Sequence, residues 1–130
     1  VLRAGLPLLG EDGTNDRFVT LIGSVNGSHG FGLPAYSAAK AGLRGLAVST
    51  AVELGALGIR INVVSPGTVP TPATVTQPKD FAALERGTVL GRLTTVDEIA
   101  RVVAAVSLDL TCVTGQEIVA DCGQTIRPPT

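Results

Sequence analysis

The 130-residue chain reads as an α/β protein, a parallel sheet of three strands with helices on its flanks. Three observations predict it. Short apolar runs rich in Val and Ile are continuous, not alternating, as in strands covered on both faces. Longer stretches with helical periodicity separate these runs, giving the order α-β-α-β-α-α-β. Strands joined through helices run parallel, with right-handed crossovers.

Each element has its own signal. Val1 to Gly10 is apolar and small, lacks a cap, and reads as the end of a helix. Gly10 to Asp16 is a polar, turn-rich loop. Arg17 to Gly23 predicts a first buried strand, and Ser24 to Pro34, with Gly27, Gly30 and Gly32, a loop. An Ala- and Leu-rich helix runs from Ala35 to about Leu57 and ends at Gly58. Ile59 to Val64 is a second buried strand, broken sharply by Ser65-Pro66-Gly67. Pro70, Pro72 and Pro78 keep the next dozen residues in a loop, and Lys79 to about Leu90 can form a short helix. Thr95-Val96-Asp97-Glu98 is a capping box, so its two carboxylates mark a helix start and not an acid pair. Ile99, Val102, Val103 and Val106 form that helix's apolar stripe. Gln116 to Ala120 predicts the last strand, and Pro128-Pro129 a disordered end.

Composition narrows the function classes. Hydrophobic residues make up 45% of the chain and charged ones 16%, with no Trp or Met, so Ala, Val, Leu and Ile must build one modest core. A net charge of −1 without a basic run argues against nucleic acid and anionic membrane surfaces. No apolar run reaches membrane-spanning length and no signal-peptide pattern opens the chain, which points to a cytoplasmic protein. Cys112 and Cys122 lack metal-ligand spacing and have one His for company, so no metal site or disulfide is expected.

The chemistry concentrates near Leu33-Pro34-Ala35-Tyr36-Ser37-Ala38-Ala39-Lys40. The only tyrosine precedes one of two lysines by four residues, so a helix starting at Pro34 or Ala35 places both on one face. An ammonium beside a phenol favours the phenolate by opposite-charge proximity, which suits proton transfer near neutral pH. Taken alone, the pair fits an incidental polar contact on a surface helix better. In parallel sheets, however, ligands sit beyond the carboxyl ends of strands. Ser24 leaves one such end, twelve residues before Tyr36, and Ser65 to Thr71 leave another.

These residues resemble the short-chain dehydrogenases/reductases in their single-domain form. The match runs through Ile22-Gly23-Ser24-Val25-Asn26-Gly27, where the family usually has Ser at the position of Gly23, and through Tyr36-Ser37-Ala38-Ala39-Lys40-Ala41. It continues through Ile59 to Gly67 and Val113-Thr114-Gly115-Gln116 to Asp121-Cys122-Gly123, where the family normally reads Asp-Gly-Gly. The resemblance implies a Rossmann-like doubly wound sheet and NAD or NADP as cofactor. It implies Tyr36 as proton donor or acceptor, Lys40 at its side and on the nicotinamide ribose, and Ser24 on the substrate oxygen. Pro66 and Gly67 would turn their loop so that the backbone of Val69 meets the carboxamide, with Thr71 near the phosphates. Thr71 reads equally as an ordinary loop residue, Asn62 as a residue serving the backbone, Asn26 as substrate-pocket lining, and His29 as a surface residue first and pocket lining second. The substrate expected is a small neutral or largely apolar carbonyl or alcohol.

The family's glycine-rich nucleotide turn has no counterpart here, so residues 1–130 are expected to be the C-terminal half of one such domain, which alone neither binds NAD(P) tightly nor turns over. Rival readings fit less well. Gly27-x-x-Gly30-x-Gly32 has the wrong order for a dinucleotide turn, and Ser24 lacks the G-x-S-x-G of a hydrolase elbow. A sugar epimerase or dehydratase of the family's extended branch shares Tyr-x-x-x-Lys but carries a larger substrate domain. A non-catalytic association module is the other alternative. Ala41, Gly45 and Ser49 give the 35–57 helix a small-residue face, and pairing as a homodimer or homotetramer through that helix and the final helix and strand follows the family's habit.

Overall fold

A computed structural model describes residues 17–76 and 80–126, together with Gly5 and Leu9. The expected helix end at 1–10, apart from those two residues, the loop to Asp16 and the terminal prolines lie outside the described residues. The strands are β1 (Arg17–Ile22), β2 (Ile59–Pro66) and β3 (Glu117–Ala120), in a parallel sheet ordered β1-β2-β3. Helix α1 (Pro34–Gly55) connects β1 to β2. Helices α2 (Pro72–Val75), α3 (Phe81–Arg86) and α4 (Val96–Ala104), with a π turn at Ala105–Asp109, lie between β2 and β3.

The centre of the fold is β2. Ile61, Val63 and Val64 are essentially sealed from solvent, each contributing roughly 2 kcal/mol by burial. Ala47 and Leu54 of α1 pack onto Ile59, Ile61 and Val63, and Val19, Leu21, Leu43 and Ala51 close the rim. Expected to be covered on both faces, β1 is instead half-buried from Arg17 to Leu21 and exposed at Ile22, and among the described residues it pairs on one side only. The Gly23 N–H donates to the Val64 carbonyl at 2.7 Å. With Ile22 opposite Val64, the odd-numbered backbone groups of β1 face β2, and those of Phe18, Thr20 and Ile22 point to the other edge.

Several boundaries differ from expectation, each for a local reason. Ser65 and Pro66 do not break β2. They pair with Val119 and Ala120, and Pro66's missing donor lies on the β1 side, past the last pair there. The stretch expected as loop after Thr71 holds the one-turn α2, because Thr71 and Thr74 form a capping box. The Lys79–Leu90 helix is shorter, capped by Asp80, whose side chain accepts from the Ala83 N–H. The Thr95–Glu98 box caps α4 as read, but the helix loosens into the π turn where Arg60 donates to the carbonyls of Val106, Ser107 and Leu110. Helix α1 begins at Pro34 and ends at Gly55, with Gly58 at φ +67 closing the turn into β2.

Candidate active site

Ser24 ends β1 as the cap of a 3-10 turn (Val25–Gly27), its Oγ accepting from the Asn26 N–H at 3.2 Å. That turn is seated directly on α1. A Cβ on Gly27 would lie 2.9 Å from the Ala41 nitrogen and 3.0 Å from the Lys40 carbonyl carbon. Only a glycine allows this approach, and it brings the Ser24 turn and Lys40 together. Lys40 Nζ donates to the Ile22 carbonyl at 2.8 Å, on the edge of β1 that faces away from β2, and stands 5.6 Å from the centre of the Tyr36 ring. Among the described residues one of its three ammonium donors is used, by the Ile22 carbonyl.

Asn26 is half-buried and His29 exposed, with His29 Nδ1 2.9 Å from Ser28 Oγ and its ring stacked on Phe31 at 6.1 Å. The loop then makes a turn that the sequence did not announce. Leu33 adopts φ +56 and ψ +62, a left-handed conformation costing a leucine roughly 1 kcal/mol or more. Its carbonyl accepts the Ser37 N–H at 2.9 Å and the Gly32 carbonyl accepts Ser37 Oγ at 3.0 Å, tying down the start of α1.

The loop after β2 is fastened differently. Gly67 does not use a glycine-only backbone angle; it is needed for space. A Cβ there would lie 2.8 Å from Asp121 Cβ and 2.9 Å from Asp121 Cα. The Gly67 N–H donates to Ala120 and the Thr68 N–H to Gln124 Oε1. Val69 gives its carbonyl to Thr74 Oγ1 at 3.1 Å, while its N–H meets no acceptor among the described residues. Thr71 Oγ1 caps α2 by accepting the Thr74 N–H at 3.3 Å. Burial pushes the Asp121 carboxyl up, but bonds from Thr125 Oγ1, the Thr125 N–H and the Gly123 N–H outweigh it, and the net shift is downward. Asn62 serves the backbone as read, donating to Val113 and accepting from Gln116.

Sequence reading missed one coupling at this end of the sheet. A Cβ on Gly23 would fall 2.3 Å from Ser65 Oγ, which donates to Glu117 Oε1 at 2.6 Å, and Arg44 Nε lies 3.6 Å from Glu117 Oε2. A separate groove of about 820 Å³ runs between α1 and β3, lined by Ala41, Arg44, Gly45, Val48 and Glu117 among others, and touches none of Ser24, Tyr36 or Lys40. Cβ atoms on Gly42 and Gly45 would meet nothing within 4 Å, so no close approach among the described residues accounts for these glycines. Among the described residues no helix is long and apolar enough to cross a membrane, and no cluster of three His, Cys, Asp or Glu could hold a metal.

A family model described as enoyl-(acyl carrier protein) reductase matches residues 1–125. An oxidoreductase of the short chain dehydrogenase/reductase family from Burkholderia thailandensis superposes with a TM-score of 0.77 at 42% identity, over 82% of this chain and 44% of that one. The chain belongs to the short-chain dehydrogenase/reductase family. It is also 43% identical over 102 residues to an uncharacterized oxidoreductase of Schizosaccharomyces pombe, covering 75% of this chain and 39% of the relative. A 3-alpha-(or 20-beta)-hydroxysteroid dehydrogenase of Mycobacterium bovis is 39% identical over 104 residues, 78% of this chain and 38% of its own length. The chain therefore spans about two fifths of the length of these curated relatives, and its three-strand sheet is part of a Rossmann-like architecture.

Proposed function

We propose that the chain carries the acid–base centre of an NAD(P)-dependent oxidoreductase that interconverts a carbonyl and a secondary alcohol, and that residues 1–130 are the C-terminal half of that domain. The observation that carries this reading is the Lys40 ammonium held beside the Tyr36 ring at the carboxyl end of β1, against the turn that Ser24 caps. Carbonyl reduction requires a proton on the oxygen as a hydride reaches the carbon, and a bound nicotinamide supplies the hydride. Tyr36 Oη delivers that proton and, in the alcohol-oxidising direction, removes it. Lys40 contributes positive charge beside the phenol, anchored through Ile22, with donors left for ribose hydroxyls. Ser24 Oγ–H remains a donor for the substrate oxygen while the oxygen accepts Asn26.

The loop after β2 fits a dinucleotide. Its half-buried Val69 N–H, without an acceptor among the described residues, can meet a carboxamide oxygen, and Pro66-Gly67 is held in place by close contact with Asp121. Thr71 O–H reaches a phosphate oxygen only by turning from Thr74 Oγ1 at 3.1 Å. Asn26 and His29 line the substrate side. The segment from Ser24 to Ala39 has no carboxylate and no Lys or Arg, which supports a neutral, largely apolar substrate, and the hydroxysteroid dehydrogenase relative supports a cyclic one.

The test is turnover of cyclic secondary alcohols with NAD and NADP, by the chain alone and by the chain co-expressed with the N-terminal half of a relative. The completed enzyme turns over, Tyr36→Phe reduces the rate at least about 100-fold, and the chain alone is silent. Unchanged activity in Tyr36→Phe overturns the acid–base assignment, and Tyr36-dependent turnover by the isolated chain overturns the half-domain reading. A second reading, association through α1, is favoured by Leu46, Val48 and Val52, all exposed on that helix, Val52 at 80%. Sedimentation of the completed enzyme separates the two: dimers that persist in the silent Tyr36→Phe variant place pairing and catalysis on different residues.

A further inference from the structure

A carboxylate stands where the core would take a hydrocarbon. Leu21, Val63 and Glu117 form one row across the sheet, and Leu21 and Val63 pack in the core beneath α1. Glu117 shares their face, with only 16% of its side chain in solvent. A charge so placed gives up much of its water, and an apolar residue of similar volume often serves stability as well or better. What distinguishes Glu117 is what it holds. Its Oε1 accepts the Ser65 hydroxyl at 2.6 Å, and its Oε2 faces Arg44 Nε at 3.6 Å. Ser65, 1% exposed, puts that hydroxyl where a side chain of Gly23 would be. Gly23 lies between Ile22, whose carbonyl accepts Lys40 Nζ, and Ser24, which caps the 3-10 turn. Arg44 follows Lys40 by four residues and leaves the same face of α1. One chain of contacts from Glu117 therefore ends on the strand that delivers Ser24, the other on the helical turn that delivers Lys40.

We propose that Glu117 is a positioning residue that sets the Ser24 turn against Lys40, acting through Ser65 on Gly23 and through Arg44 on α1. Its bearing on catalysis rests on the oxidoreductase reading above. The contact of Gly27 with the Lys40–Ala41 backbone sets how closely turn and helix approach. The Ser65 hydroxyl, oriented by Glu117, sets how closely Gly23 lies on β2, and Arg44 ties the turn of α1 beyond Lys40 to β3.

The experiment reads two signals in the isotope-labelled chain. One is hydrogen exchange at Asn26 and Gly27, whose N–H groups bond to Ser24; the other is the ammonium resonance of Lys40. Glu117→Ala should speed exchange at Asn26 and Gly27 about tenfold more than at Ala47 and Leu54 in the core. Glu117→Gln keeps an acceptor for Ser65, so it should hold exchange at the turn within about twofold of the unaltered chain. It should shift the Lys40 resonance as Arg44→Ala does. The double variant Ser65→Ala/Glu117→Leu separates positioning from folding. Its urea midpoint should equal or exceed that of the unaltered chain while the turn exchanges faster. Unchanged exchange at the turn in Glu117→Ala, equal acceleration at turn and core, or no rescue by Glu117→Gln overturns the assignment. So does a Lys40 resonance that Arg44→Ala leaves in place. A double variant with a slow turn or a lower midpoint overturns it as well, because Glu117 is then either idle or retained for folding. No cofactor or substrate enters these measurements, so unchanged turnover in Tyr36→Phe refutes the acid–base centre and leaves this result standing.

Discussion

The loops leaving β1 and β2 sit at the same end of one sheet and are built in opposite ways. After β2, polar groups are matched within the molecule: Gly67 to Ala120, Thr68 to Gln124 and Thr71 to Thr74, with Asp121, just past β3, matched to Thr125 and Gly123. After β1, the turn at Ser24 is fixed against α1, but from Ser28 to Tyr36 every side chain is exposed and bonding is confined to neighbours. One loop is matched internally, with the Val69 N–H left without an acceptor among the described residues; the other is an open rim with its apolar side chains outward. On the function proposed above, this division suits a fixed cofactor-facing side and an adaptable substrate-facing side.

Substitution tests the contrast, starting with the largest effect. Gly67→Ala presses a methyl group onto the Asp121 backbone and should cost about 2–3 kcal/mol in urea denaturation, whereas Gly30→Ala, in open space, should stay within about 0.5 kcal/mol. Equal costs would mean that the two loops are not differently packed. Gly27→Ala marks where the β1 loop stops being open, because its Cβ meets the Lys40–Ala41 backbone; we expect a loss of about 1–2 kcal/mol, with displaced amide signals at residues 40 and 41.

Acid titration sharpens the comparison next, because the downward-shifted carboxylates lie on the β2–β3 side. For Asp121 the folded value is below the unfolded one, so its contribution is complete above about pH 5 and is lost as pH falls through the folded value. Asp121→Asn should flatten the acid limb of the stability curve without changing its slope at neutral pH; an unaltered acid limb would refute the assignment. Glu98 behaves alike. Its side-chain bond to Arg92, then the Thr95 N–H, hold it down to about 2, so its contribution fades between about pH 4.5 and 2, and Arg92→Gln should narrow that window. The smallest effect is expected at Cys122, which holds φ +53 where the family carries glycine. Cys122→Gly should gain up to about 1 kcal/mol, read as a higher urea midpoint.

What was legible in the sequence was mostly local or periodic. The Thr95–Glu98 box, the i, i+4 relation of Tyr36 and Lys40, and the parallel order of the strands follow from spacing alone. Partners distant in sequence were not legible. Nothing near Pro66 shows that β3 pairs with it, and nothing near Lys40 names the Ile22 carbonyl. The π turn after α4 depends on Arg60, more than forty residues earlier, which collects its carbonyls. The left-handed residues Leu33 and Cys122 escaped because neither is a residue type that advertises that conformation.

Gly23 and Ser65 share a single volume. The space that a side chain at 23 would take is filled from 65, and Glu117 and Arg44 hold that hydroxyl where it is. A serine at position 23 is therefore not a one-residue change in this chain. It asks Ser65 to shrink, Val63 Cγ1, 2.7 Å from the added atom, to rotate, and Glu117 to find another donor. The two positions form one unit of exchange: Gly23→Ser with Ser65→Gly conserves the hydroxymethyl and moves it one strand over, beside Ser24. Comparing either position across relatives without the other would mistake a transfer for a loss.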